Sequence, residues 1–78
     1  MKIVQLIGSE PRGRCVVTIS QGRPGPWAPW VYDVTVVRDD GVRLLELEDQ
    51  PHLALATQRG RDVADRDAIR DAPTRGAA

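Results

Sequence analysis

Apolar and polar residues alternate with a period of two over residues 31–38 (VYDVTVVR). Tyr32, Val34 and Val36 fall on one side of an extended chain, and Asp33, Thr35 and Val37 on the other, which predicts a β-strand. Asp39-Asp40-Gly41 follows, a hairpin-turn signal with glycine where a left-handed conformation is needed. Residues 42–48 (VRLLELE) read as the return strand, with Val42, Leu44, Glu46 and Glu48 on one face and Arg43, Leu45 and Leu47 on the other. The alternation slips at Leu44-Leu45, which points to a bulge or to burial on both faces. Upstream, residues 14–20 (RCVVTIS) place Cys15, Val17 and Ile19 on one face of a strand. Residues 2–7 (KIVQLI) form a shorter strand ending at Gly8, and residues 9–13 (SEPRG) read as the turn between these two.

Residues 21–30 (QGRPGPWAPW) fit neither a helix nor a central strand, because Pro24, Pro26 and Pro29 remove backbone donors and fix φ. This is a stiff connector with two open fates for Trp27 and Trp30. They either pack down to cap the core or stand exposed as interface anchors. A core this small favours packing. After a turn at residues 49–52, Leu53, Leu55 and Thr57 alternate with Ala54 and Ala56. Gly60 inside one continuous helix would cost about 1 kcal/mol relative to Ala. The expectation is therefore a strand at 53–57, a turn at 58–61, and a helix from 62 to about 72. Asp62 would be its N-cap, Asp65 the second half of an acidic capping box, and Ala64, Ala68 and Ala72 a stripe of small residues facing the sheet. Pro73 would stop the helix.

The predicted fold class is α+β: an antiparallel sheet of about five short strands with one C-terminal helix packed on one face. Residues 1–72 form a single small domain, with 1–30 a strand-rich extension plus connector and 32–72 its core, and residues 73–78 are a flexible tail. A chain of 78 residues buries only about 60% of its unfolded surface, so its stability is about 5 kcal/mol or below. With no Phe among its residues, the core falls to Val, Leu and Ile. Extra burial in a homodimer or against a partner would help.

The formal net charge is zero, which gives no global pull toward nucleic acid. The distribution is uneven. Residues 31–50 hold Asp33, Asp39, Asp40, Glu46, Glu48 and Asp49 against Arg38 and Arg43. That acidic middle suits a small basic protein partner, or is simply a solvated face. Cys15 is the only cysteine, so there is neither a disulfide framework nor a zinc ligand set, and its apolar neighbours imply a buried, reduced thiol. No apolar run approaches the roughly 18 residues of a membrane span, and the start lacks a signal-peptide pattern. A cytoplasmic protein is expected.

No catalytic constellation is visible, and a non-enzymatic role with no cofactor or metal is the expectation. His52 is the single histidine and has no Ser or Cys nearby in sequence. Asp39-Asp40 beside Gly41 is turn chemistry rather than a metal pair. Gly22-Arg23-Pro24-Gly25 lacks the free backbone donors of a phosphate cradle. Arg59, Arg61, Arg66 and Arg70 could touch phosphates, but Asp62, Asp65, Asp67 and Asp71 interleave with them, so a solvated helix of mixed charge is favoured over a weak nucleic-acid site.

Residues 32–72 resemble the HicB antitoxin family. The matching pieces are Tyr32-Asp33-Val34-Thr35-Val36, Asp39-Asp40-Gly41, Leu44-Leu45-Glu46-Leu47, Pro51-His52-Leu53, Ala56-Thr57-Gln58, Gly60 and Asp62-Val63-Ala64-Asp65. The chain departs from the family at Arg66 and Asp67, where apolar helix residues are usual. The family continues after the helix with a further strand and often a DNA-binding segment. Residues 14–20 are expected to take that strand's place in the sheet. The resemblance implies a partial ribonuclease-H-like fold without an acidic metal site. It also implies binding to a small ribonuclease toxin of the HicA type, and no DNA autoregulation. The function expected is a protein-binding module that neutralises or regulates a small partner. The partner-binding candidates are Trp27, Trp30, Asp39, Asp40, Glu46 and Glu48. The alternatives are an orphan adaptor or inhibitor of mobile-element origin anchored by Trp27 and Trp30, or a weak nucleic-acid binder using the helix arginines.

Overall fold

The computed structural model describes residues 3–71. Four strands run β1 (Ile3–Arg12), β2 (Cys15–Arg23), β3 (Val31–Arg38) and β4 (Arg43–Gln50), and one helix, α1 (Leu53–Asp71), follows. The strands form a single antiparallel sheet in the order β1-β2-β3-β4, and α1 lies across one face. The α+β class and the helix-on-sheet arrangement agree with the sequence reading. The number of strands does not, because residues 53–57 are the opening turns of α1. The proposed frayed tail at 73–78 and the helix stop at Pro73 lie outside the described residues.

The core is the stripe that alternation picked out. Cys15, Val17 and Ile19 of β2 and Val34 and Val36 of β3 are buried under Ala56 and Ala64 of α1. Leu44, Leu45 and Leu47 of β4 and Val63 of α1 pack at its margin. Register explains the shared face: Val17 pairs with Val36 and Ile19 with Val34, and these pair onward with Leu45 and Leu47. The slip at Leu44-Leu45 is a register shift, since Val36 faces Leu45 while Val37 faces Arg43, leaving Leu44 unpaired.

Three local readings are corrected. First, β1 continues through residues 9–12, so Pro11 is a strand residue. It can be one because β1 is an edge strand, where a missing N–H need not break a ladder. The turn is instead Gly13-Arg14, with Gly13 at φ +62°. Second, Gly60 is no turn. It sits inside α1 where an added Cβ would lie 2.7 Å from Val34 Cγ1 and 3.0 Å from Val17 Cγ1. Ala56, Gly60 and Ala64 are a small-residue stripe at a spacing of four, which brings the helix backbone down onto the valines. Third, Asp62 is a helix-interior residue accepting a hydrogen bond from Gln58 Nε2 at 2.9 Å, not an N-cap. The helix opens with the Ala56 N–H donating to the His52 carbonyl at 3.0 Å, and its first turn carries no acid.

Candidate functional site

Two ion-pair networks clamp α1 to the sheet. Along β1, Glu10 and Arg12 are two apart and therefore face the same side, about 7 Å from each other. Along α1, Arg61 and Asp65 are four apart, with a rise of about 6 Å. The spacings match, and the pairs close side by side. Arg61 Nη2 donates to Glu10 Oε1 at 2.9 Å, and Arg12 Nε donates to Asp65 Oδ1 at 2.7 Å. Arg12 also reaches Glu10 at 3.3 Å. The Arg61 hydrogen bond holds Glu10 below its ordinary pKa, and Arg12 does the same for Asp65.

The second network lies just beyond the first, two residues further along α1 at Asp67. Asp67 is the one buried charged residue among those described, 8% exposed. It accepts from Arg38 Nη1 at 3.1 Å, and the Cys15 thiol approaches its other oxygen at 3.6 Å. Arg38 also binds Asp40 through Nε and Nη2, the latter at 2.8 Å. Asp40 further accepts from the Val42 N–H at 3.1 Å. Arg38, followed by that backbone donor, brings the Asp40 carboxyl down to about 2. Burial, followed by the neighbouring Asp67, pushes the Cys15 thiol up, so it is a poor nucleophile.

The sequence-predicted site residues separate into different regions. Trp27 is 79% exposed, its ring lying against the Gly25 Cα, so the packing fate favoured from composition is not the one it takes. Trp30 is half-buried beneath the Arg23 guanidinium, 4.1 Å from the ring centroid, a cation–π contact. Both belong to the β2–β3 connector, whereas Asp39 and Asp40 occupy the turn at the opposite end of β3. The eight residues of β3 put about 26 Å between these groups, so tryptophans and acids do not form one surface. The hairpin acids are also largely committed within the chain. Asp39 is held by Arg14 at 2.8 Å, Asp40 by Arg38, and Glu46 by Arg43 at 3.2 Å. Glu48 is exposed.

Of the helix arginines, Arg61 is taken by Glu10. Arg59, Arg66 and Arg70 are exposed and make no salt bridge among the described residues. They line a groove that the sequence did not reveal. Between α1 and β4 three depressions of about 340, 330 and 170 Å³ succeed one another. The first is lined by His52, Leu55 and Arg59, the second by Leu45, Leu47, Val63 and Arg66, and the third by Leu44, Val63 and Arg70. Adjacent ones share Arg59 with Asp62, then Val63 with Arg66, so they form one channel lined by aliphatic side chains, by Arg59, Arg66 and Arg70, and by the carboxylates Asp62 and Asp67. The available signal was the spacing of Arg59, Arg66 and Arg70 on a continuous helix, invisible once a turn was placed at Gly60.

Among the described residues no three His, Cys, Asp or Glu side chains gather where they could hold a metal ion, and no helix is long and apolar enough to cross a membrane. Comparisons with protein-family models, with curated proteins and with solved structures return no match to this chain.

Proposed function

We propose that this chain is a non-enzymatic protein-binding module that holds a segment of a small partner protein in the groove between α1 and β4. The observation behind this reading is the pattern of arginine pairing. Arg12, Arg14, Arg38, Arg43 and Arg61 each hold a carboxylate of the same chain. Arg23 stacks on Trp30, and Arg59, Arg66 and Arg70 hold none; these three stand along the channel, where Leu44, Leu45, Leu47 and Val63 lie beside Asp62 and Asp67. A fitting segment carries carboxylates for the arginines and aliphatic side chains for Leu44, Leu45, Leu47 and Val63.

Selection from a displayed random-peptide library tests this. Acidic, leucine-rich sequences should be enriched, and R59E/R66E/R70E should abolish their binding while leaving the far-ultraviolet circular dichroism unchanged. Enrichment of neutral sequences, or binding indifferent to the triple substitution, refutes the groove.

A second reading keeps the HicB-type comparison: covering a small basic ribonuclease toxin of the HicA type, with Asp39, Asp40, Glu46 and Glu48 toward the partner. It is supported by the acidic hairpin of β3 and β4, with Gly41 at φ +88° in its turn and these four acids exposed. It lacks the strand at 53–57 that the family pattern places around Ala56-Thr57-Gln58, since those residues are helical. Selection of basic peptides, lost with E46Q/E48Q, would favour it. The nucleic-acid alternative rests on the same arginines and is set apart by salt, because phosphate contacts make affinity fall steeply with ionic strength.

A further inference from the structure

The two edges of the sheet are built differently. β4 carries Arg43, Glu46, Glu48 and Asp49, and its register breaks twice, with Asp49 at φ +53°. Charges and bulges of this kind keep an edge from pairing with other chains. β1 has no charged residue from Ile3 to Ser9, and its first five side chains are exposed. Val4 is 57% and Leu6 68% exposed although both lie in a regular ladder against β2. Among the described residues β1 pairs with β2 alone, so half of its backbone hydrogen-bonding groups face outward.

The segment is also symmetric about its centre. Ile3-Val4-Gln5-Leu6-Ile7 reads the same in either direction at the level of residue type. In an antiparallel pair of two such strands centred on Gln5, Gln5 faces Gln5 of the second copy, Val4 faces Leu6, and Ile3 faces Ile7. Every apolar side chain meets an apolar one and no charges oppose each other. Gln5 Oε1 accepts from Nε2 of Gln21, its ladder partner on β2, at 2.9 Å. The β1–β2 register shift between Leu6 and Gly8 leaves Ile7 without a ladder partner, so the straight segment is Ile3–Leu6 and the pairing rests on Val4, Gln5 and Leu6.

We propose that β1 pairs antiparallel with β1 of a second copy of this chain, about a two-fold axis at Gln5, joining two four-stranded sheets into one of eight. Antiparallel pairing places both helices on the same side of the joined sheet. On the other side Val4 and Leu6 of each copy form a four-residue aliphatic cluster. The surface is on the opposite edge from the α1–β4 groove, so this pairing stands or falls independently of partner binding there.

Sedimentation equilibrium tests the pairing. The unaltered chain should sediment as a dimer, and L6K as a monomer with unchanged circular dichroism, since Leu6 is exposed. V4K/L6E should restore the dimer, because the register brings the two introduced charges of opposite sign together twice. Independently, Q5C should form an intermolecular disulfide on mild oxidation, the paired Cα atoms lying about 4.5–5.5 Å apart, while S9C should not. A monomeric unaltered chain, an L6K dimer, or equal cross-linking at both cysteine positions would overturn the proposal.

Discussion

Replacing Gly60 by Ala sets two effects of known sign against each other. In an exposed helix interior the change stabilises by about 1 kcal/mol, because Ala loses less backbone entropy than Gly. At Gly60 the new methyl would stand 2.7 Å from Val34 Cγ1, 3.0 Å from Val17 Cγ1 and 3.6 Å from Val36 Cγ2. Carbon pairs are most favourable near 3.5–4.0 Å, so the first two contacts are repulsive. Both valines are fully buried, and their branched side chains have few alternative rotamers. Overpacking of this kind costs about 1–3 kcal/mol. The net expectation is a destabilisation of up to about 2 kcal/mol, a large part of a total near 5 kcal/mol.

The cycle with Val34→Ala isolates the cause. Removing the Val34 methyls relieves the 2.7 Å contact while Val17 Cγ1 stays at 3.0 Å, so Gly60→Ala should cost clearly less in that background than in the unaltered chain. Urea denaturation followed by circular dichroism gives all four stabilities, provided the slope with denaturant stays constant. Gly8→Ala is the control, since nothing lies within 4 Å of its added Cβ, and it should be neutral or stabilising. If Gly60→Ala stabilises the unaltered chain, or shifts stability equally with and without Val34, the helix does not pass over the valines as described. A chain turning at Gly60 would show no such coupling.

Three further outcomes follow from the ion pairs and the thiol. Glu10, Asp39, Asp40 and Asp65 have folded pKa values below their ordinary 4.5 or 3.8, so the stability they contribute is present above those values and lost as pH falls through the depressed ones. The urea midpoint should therefore hold from neutral pH to about pH 5 and fall toward pH 2, where Asp40 titrates; a midpoint flat over that range would refute the pairings. Asp67→Ala strands part of Arg38 in a half-buried site and should cost about 1–3 kcal/mol in denaturant unfolding, with Arg38→Met/Asp67→Leu recovering most of it; a neutral Asp67→Ala would show that the pair contributes nothing. Cys15 should react with a thiol reagent only as fast as the native chain opens, and labelling at the rate of a free thiol would contradict its burial.

What the sequence disclosed, and what it hid, divides along a physical line. The β3–β4 hairpin was legible because local rules agree there: period-two alternation, Asp-Asp-Gly at the turn, and a doubled leucine where the register shifts. The inner face of β2 was legible for the same reason, since Cys15, Val17 and Ile19 are buried as their alternation implies. Pro11 and Gly60 were misread because each obeys a tertiary condition. Proline is tolerated where its strand has a neighbour on one side only, and nothing local announces which strand is outermost. Glycine is required where a helix backbone must meet branched side chains, and the valines responsible lie 26 and 43 residues earlier by numbering. The same separation hid the arginine channel and both clamps. Their partners come together only once the direction of α1 across the sheet is known, and that direction depends on the glycine. With a turn at Gly60, Arg59 and Arg66 belong to different elements. With a continuous helix they are nearly two turns apart on one face, above the leucines of β4. The proposed site thus moves from the hairpin, where Arg14, Arg38 and Arg43 already hold Asp39, Asp40 and Glu46, to Arg59, Arg66 and Arg70 of α1, which no carboxylate of the described residues holds.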